Sequence, residues 1–554
     1  MGTLGAHPDA SSSQAFTEKR AAVSQSSSYG PQLCDIDNYP VVRNGKQPSA
    51  TQSDDTDLER GSIQDGEFVT DVPVSELPAG HIDADKAEGD IIVDWDGVDD
   101  KEMAQNWSKY YRSYITMLIG IFTFCSTFAS SAPSQLLPRI MERYDVSREL
   151  AELPIYLFLA GYMFGPLFWG PLSELYGALP LLWISGLGLA VFNVGCAFSP
   201  TLAGLICMRI VTGFFGSCPL TIGGGVMANM WRKKHLGVAM CVFGATPMCG
   251  PSLGPLVGGW IAASGTTYQW VFWAMAIFTG SFTILAGLTM SETNPGVTLK
   301  KKAQRIRKQT GNPRYKAPIE VREISLREIV IERLVVPLKM LVVEPMLLSV
   351  TLYISFIYGV LYLFFDAYPV VFTQMHGLGP VQTGLTFLAL VIGCISGTLY
   401  YVTVENRAYQ ISLKKSLTNT VPPEFRLRLT MAAGPILTCS LFWFAWTVWK
   451  DVSIWPPIIA GGFYGLGIFF IMFSLFTYMA DTYGALTASA MAANTMVRSA
   501  FGVGFPLFAT QMYNKLNPRN ATTILACVSL VMVPIPFLLH RYGSRLRAKT
   551  RYAM

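Results

Sequence analysis

The chain has 554 residues, of which 51% are hydrophobic and only 14% charged, with a mean hydropathy of +0.36. Soluble domains carry roughly 25% charged residues, so a soluble globular enzyme is excluded and a polytopic membrane protein is expected. The formal net charge of +5 hides an asymmetry, because residues 1–108 sum to −14 and residues 109–554 to +19.

Taken in chain order, residues 1–108 are rich in Ser, Asp, Gly and Pro and lack apolar periodicity, the composition of a disordered acidic cytoplasmic tail. Beyond it, apolar runs of about 20 residues predict helices that cross a bilayer. Twelve are expected, near 113–132, 153–172, 179–198, 201–224, 236–260, 268–290, 346–369, 381–402, 429–449, 454–478, 485–510 and 521–539. A polar, basic loop over 291–345 divides them six and six. The pattern predicts an all-α polytopic fold of two six-helix bundles, 109–290 and 346–540, related by internal repetition, with a basic tail at 541–554.

Lys and Arg set the orientation. With a cytoplasmic N-terminus, the inner segments hold 27 of them and the outer loops 6, so both termini and the central loop are assigned to the cytoplasm. The cluster Lys300, Lys301, Lys302, Arg305, Arg307 and Lys308 fits attraction to anionic lipid better than nucleic acid. The sequon Asn520-Ala521-Thr522 falls in the last outer loop as a candidate glycosylation site, whereas Asn106-Trp107-Ser108 falls on the cytoplasmic side. Nine of the ten cysteines lie inside apolar runs and read as small buried hydrophobes. Neither they nor the five histidines have metal-site spacing.

Few ionisable groups fall within or beside the spans: Arg209 in the fourth, Asp366 late in the seventh, Asp481 just past the tenth and Arg498 midway along the eleventh. Such a residue at the bilayer centre costs roughly 2.5–3.5 kcal/mol, so it faces a cavity or a partner. Each is therefore either part of proton coupling or one half of an ion pair that only holds helices together. Asp366 ends a row with Tyr358 and Tyr362, four residues apart on one helix face. Tyrosines with one carboxylate suit a wet cavity, where the acid can take up and give back a proton as water and cations come and go. The alternative is an Asp366 simply exposed at the outer helix end.

The fifth run interleaves Pro247, Pro251 and Pro255 with Gly250, Gly254 and Gly258, and Gly259 follows. Glycines at spacing four let a neighbouring backbone approach, while prolines delete helix hydrogen bonds that neighbours must replace.

These motifs resemble the major facilitator superfamily, and within it the fungal twelve-span drug:proton antiporters. Gly250 through Gly259 looks like the motif that marks exporters. Gly170-Pro171-Leu172-Ser173-Glu174-Leu175-Tyr176-Gly177 resembles the signature loop between spans two and three, and Leu205 through Gly213 looks like the fourth-span Arg motif. Asp94-Trp95-Asp96 with Asn106-Trp107-Ser108, Asp366-Ala367-Tyr368-Pro369, Leu441 through Thr447, Asn494-Thr495 with Arg498-Ser499, and Phe505-Pro506-Leu507-Phe508 add the fungal branch. Two departures stand out. Ala178 and Leu179 replace the basic residues that normally follow Gly177, which puts the loop-gating role of Glu174 in question, and Asn229 stands where many relatives carry an acid.

The resemblance implies a proton-driven exporter of drugs, toxins or secondary metabolites, in the plasma membrane, acting as a monomer on small organic substrates, with no cofactor beyond the proton gradient. It implies coupling through the fourth-span Arg209. Tyr358, Tyr362, Trp443 and Asn494 are the candidate cavity residues. Proton-coupled uptake of a nutrient or an organic anion is the alternative, and the Gly-Pro run argues against it. An enzyme is disfavoured, since no nucleophile–base pair, metal spacing or phosphate loop appears.

Overall fold

The structure is a computed structural model, and it describes residues 90–321, 335–416, 421–548 and 550. The tail expected over residues 1–89 lies outside the described residues.

The chain is a succession of long helices. The first half holds α1 (Lys109–Ser131), α2 (Leu137–Tyr144), α3 (Arg148–Tyr156), α4 (Phe158–Tyr176), α5 (Ala178–Phe198), α6 (Leu202–Met230), α7 (Lys233–Ala263) and α8 (Gln269–Thr289). Then come α9 (Pro295–Thr310), α10 (Pro345–Tyr368), α11 (Pro380–Thr386), α12 (Leu388–Tyr400) and α13 (Asn406–Lys415). The chain continues with α14 (Leu427–Thr447), α15 (Trp455–Tyr483), α16 (Thr487–Met532) and α17 (Pro534–Arg547). Among the described residues, eleven helical stretches are long and apolar enough to cross a membrane.

The last of these, Thr487–Arg547, is 61 residues long. A straight helix of that length would reach roughly 90 Å, about three times a bilayer's hydrocarbon core. It is not straight. Asn517 takes φ 64° and ψ 149°, and Pro518 follows it, a sequence that disfavours continued helix. The Tyr513 and Thr522 hydroxyls lie 2.8 Å apart across this point, where nine residues of straight helix would rise about 13.5 Å. The chain doubles back at Asn517, so this one stretch holds two arms.

Within the first bundle α1 packs on α7, α4 on α6 and α5 on α8; within the second α10 packs on α16 and α15 on both α12 and α14. The seam between bundles runs where α3 and α4 meet α16, and where α7 meets α11 and α12. The glycine row of α7 explains one close approach. A Cβ at Gly250, Gly254 or Gly258 would fall 2.1, 2.0 and 2.2 Å from Thr127 Oγ1, Ser131 Oγ and the Ala132 carbonyl. The prolines are compensated by hydroxyls. Pro255 leaves the Pro251 carbonyl without its helical donor, and Ser131 Oγ donates to it at 2.7 Å. Pro247 does the same to Phe243, whose carbonyl accepts from Thr246 Oγ1 at 2.7 Å.

Residues 90–108 correct the expected boundary, because they are ordered against the central loop. Ile91–Ile92 pairs in parallel with Tyr315–Lys316. Val93 joins Leu299, Ala303 and Ala317 in a small core, with Trp95 packed against it. Lys302 Nζ reaches the Asp94 carbonyl at 3.0 Å, Asp96 at 2.9 Å and Asp100 at 3.1 Å. Asn106 Nδ2 donates to the Val98 and Asp100 carbonyls, and Ser108 caps α1 by accepting from the Tyr111 N–H at 3.2 Å. The acidic composition of this segment is balanced by a lysine 202 residues from Asp100, beyond the reach of any local pattern. The basic cluster is redistributed for the same reason: Arg305 bonds Glu102 and Arg307 bonds Glu320, leaving Lys301 and Lys308 exposed. At the other terminus α17 runs into the expected tail, and Arg547 bridges Glu424 at 2.8 Å.

Candidate transport site

At the end of the bundles remote from the central loop, α3 carries Arg148, Glu152 and Tyr156 at spacing four, on the face turned to the second bundle. Arg148 Nε lies 2.9 Å from Glu152 Oε1, and its other arm lies 3.9 Å from Asp366 Oδ1. The Tyr156 hydroxyl donates to Asp366 Oδ2 at 2.6 Å. Thr510, from α16, donates to Glu152 Oε1 at 3.1 Å. Both acids are buried. Two carboxylates from opposite bundles thus share one guanidinium, which gives the cluster a charge of −1 when both are ionised and zero when they hold one proton. Asp366 is not exposed at its helix end, so that alternative falls.

The same end is closed elsewhere by α7 and α11. A Cβ at Gly259 would meet the Pro380 carbonyl at 2.5 Å, and one at Gly384 would meet Pro255 and Leu256 backbone at 2.8 Å. Arg139 donates to the Ala262 carbonyl at 2.6 Å and to that of Thr266.

Arg209 is fully buried and has no carboxylate within ion-pair distance among the described residues. Its Nε donates to the Pro154 carbonyl at 2.8 Å and its Nη2 to the Ala129 carbonyl at 2.9 Å. These acceptors lie where helices break. Ala129 would be served by residue 133, but Pro133 has no N–H, and Pro154 precedes the break between α3 and α4. The Phe158 ring stacks 4.5 Å from the guanidinium. Arg209 therefore ties α1, α3 and α6 together, and the glycines of its motif serve the same contact: a Cβ at Gly213 would fall 1.9 Å from the Phe158 carbonyl.

Nearer mid-depth, hydroxyls and a second arginine line the seam. Tyr358 donates to Tyr362 at 3.4 Å, and the Tyr362 and Ser130 hydroxyls lie 2.8 Å apart, bridging the bundles. Tyr162 pairs with Ser126. Arg498, only 3% exposed, stacks 4.8 Å over Tyr358 and 5.5 Å from Phe476. Its Nε is buried with no hydrogen-bond partner. One turn away on α16, Asn494 donates to Thr351 at 3.3 Å and leaves its Oδ1 unpaired.

The remaining sequence candidates separate. Trp443 is 40% exposed and packs on Phe463, itself on the outer surface, so it is a lipid-facing ring and not a cavity residue. Asp481 bonds Arg426 at 2.9 Å at the central-loop end, and both belong to the second bundle. Glu174 is exposed at the end of α4. The departure after Gly177 is filled by Glu292, which accepts from the N–H groups of Ala178 and Leu179 at 3.0 and 3.1 Å, capping α5. Gly177 (φ 92°) has no room for a Cβ, which would sit 2.3 Å from that carboxylate. Asn520 is exposed, just past the Asn517 break.

Arg148, Glu152 and Tyr156 are not among the sequence candidates. Their spacing of four is visible, but the charges of Arg148 and Glu152 place this turn outside the apolar run expected at 153–172.

The comparisons agree with this architecture. Residues 119–506 match the family model for the Major Facilitator Superfamily. A citrinin biosynthesis cluster MFS transporter of Monascus ruber is 36% identical over 507 residues, covering 91% of this chain and 98% of that one. An efflux pump of Floropilus chiversii is 34% identical, covering 83% of this chain and 86% of its own length. Among solved structures, the proton:xylose symporter XylE aligns with a TM-score of 0.57 at 13% identity, over 79% of this chain and 96% of that one, a likeness of fold. The chain is a multi-pass membrane transporter, not an enzyme, and belongs to the major facilitator superfamily.

Proposed function

We propose that this protein exports small organic molecules, of the secondary-metabolite class named for its relatives, in exchange for protons. The reading is of a monomer in the plasma membrane, with both termini cytoplasmic and the Asp366 end facing outside. The observation that carries it is the pair of buried carboxylates, Glu152 and Asp366, facing each other across the seam with one arginine between them.

The cycle follows from charge. With the outer end open, the pair separates and meets water, and one proton from outside makes the cluster neutral on closure. Loss of that proton toward the cytoplasm leaves two carboxylates against one guanidinium in a low-dielectric seam. Their repulsion favours reopening, now with substrate aboard. A proton thus biases the pair of states one way and its loss the other, which is the differential affinity that coupling requires. The bundles rock along the seam where Gly259 of α7 lies against the Pro380 carbonyl and Gly384 of α11 against the Pro255 and Leu256 backbone, while the row Gly250, Gly254 and Gly258 holds α7 to α1 within the first bundle. Asp481, held by Arg426 inside one bundle, is assigned a structural role.

The test compares metabolites inside and outside cells expressing the protein or its Asp366→Asn variant, with and without a protonophore. A compound exported only by the unaltered protein, and lost with the protonophore, is the expected result. Normal protonophore-sensitive export by Asp366→Asn removes this acid from the mechanism. Accumulation inside the cells would mean uptake.

A further inference from the structure

We infer that the exported molecules are organic anions, bound near mid-depth by Arg498. This rests on the export reading above and names its substrate class. Three observations meet at one place.

The first is an uncompensated charge. Arg498 is buried, and no Asp or Glu lies within ion-pair distance of it among the described residues. Arg209, the other arginine at this depth, spends its Nε and Nη2 on backbone carbonyls that proline and a helix break leave free, with only its Nη1 unpaired. Arg498 has no such occupation. Its contacts are two aromatic faces, and its Nε is unpaired. A guanidinium is the side chain suited to a carboxylate or other planar anion, which it can bind through two parallel hydrogen bonds.

The second is the company it keeps. Tyr358, beneath the guanidinium, is linked to Tyr362, and Tyr362 to Ser130 across the seam. Asn494, one turn toward the central loop, spends its Nδ2 on Thr351 and leaves its Oδ1 as an acceptor for a substrate hydroxyl or N–H. The tyrosine and serine hydroxyls can donate to an anion's remaining oxygens, and aromatic faces suit a flat, conjugated body. A cationic substrate would meet Arg498 with no acid to offset it.

The third is separation. Arg498 and Thr510 lie twelve residues apart on α16, about 18 Å along the helix, so the anion site and the Glu152–Asp366 pair are distinct. They share α16 and the Tyr358–Tyr362–Asp366 face of α10, the two helices packed most extensively together. Exchange of one proton inward for one monoanion outward moves two positive charges inward per cycle, so the membrane potential drives export along with the pH gradient.

The test uses the full chain in lipid nanodiscs and a probe set of 2-naphthoate, methyl 2-naphthoate and 2-naphthylmethylamine, read by tryptophan fluorescence and thermal shift. The unaltered protein should bind the carboxylate at least tenfold more tightly than its ester or the amine. Arg498→Gln should bring the carboxylate-to-ester ratio to about one, Arg498→Lys should keep part of it, and Asp481→Asn should keep all of it. Thermal unfolding of each variant without probe checks that it is folded. Absence of anion preference in the unaltered protein, or an unchanged ratio in folded Arg498→Gln, overturns the inference. Anion preference without proton-driven export would instead overturn the coupling reading and leave this one standing.

Discussion

The two ends of the molecule each carry buried or half-buried ion pairs, and they differ in what the pairs join. At the end remote from the central loop, Arg148 and Glu152 belong to the first bundle and Asp366 to the second. At the central-loop end, Arg426–Asp481 and Arg547–Glu424 both close within the second bundle. Rocking of one bundle against the other separates Asp366 from Arg148 and leaves the second set intact. Only a contact that differs between states can couple a ligand to the change of state, so membership of opposite bundles, more than burial or charge, marks a coupling group.

The largest effect that would break this contrast comes from Arg148. Replacing it with Gln leaves Glu152 and Asp366 facing each other without a cation, which disfavours closure of that end. Breaking a buried pair by removing one partner costs about 3–5 kcal/mol. Export by Arg148→Gln should fall by at least about tenfold, a coupling loss of about 1.4 kcal/mol or more. Adding Glu152→Gln in the same chain removes one of the two uncompensated charges and should restore part of the rate. Vesicle transport assays on both single variants and the double variant form the cycle that isolates this interaction. A double variant no better than Arg148→Gln would mean that the two acids do not communicate.

A smaller effect sharpens the contrast from the other end. Asp481 is 34% exposed in its pair with Arg426, and solvent-accessible ion pairs are worth about 0–1 kcal/mol. Arg426 also keeps its stack on Tyr409, 3.9 Å from the ring centre. Asp481→Asn should lower thermal stability slightly and keep export within about twofold, in line with that pair energy. A tenfold loss of export at normal protein level would place a coupling group at the central-loop end after all.

The sequence made the helices legible because a bilayer demands long apolar runs, and the row Tyr358, Tyr362, Asp366 because a helix repeats every 3.6 residues. What it hid depends on which face meets which. Trp443 and Tyr358 are both aromatics in apolar spans, yet one faces outward and the other is buried at the seam. Nothing in the spacing distinguishes them. Arg209 and Arg498 are both lone arginines in apolar spans, and in the structure they differ because Pro133 frees a carbonyl for the first. Asp481 needed Arg426, 55 residues away, to explain it. Arg148 and Glu152 were recoverable, since a turn bearing charges at spacing four just before an apolar run continues that helix.

Lys302 should show the smallest effect on transport and the clearest local one. Its ammonium is the hub of the segment 90–108, serving Asp96, Asp100 and the Asp94 carbonyl. Burial works against charge on Asp100, but the N–H groups of Glu102 and Asp96, together with Lys302, outweigh it and hold the carboxyl below its usual value. A depressed carboxyl contributes stability above its unfolded value, and that contribution is lost as pH falls through the folded one. The segment should therefore stay docked at neutral pH and loosen only below about pH 4, reported by fluorescence of Trp95 against a Trp95→Phe reference. Lys302→Met should shift that loosening upward in pH and speed tryptic cleavage at Lys101, which is exposed. Because this hub joins the tail to the central loop and touches no contact between bundles, proton-driven export per folded molecule should change by less than the Asp481→Asn variant does. If export collapsed while cleavage at Lys101 stayed slow, Lys302 would be acting on transport directly, and the division between contacts that cross the seam and those that do not would fail.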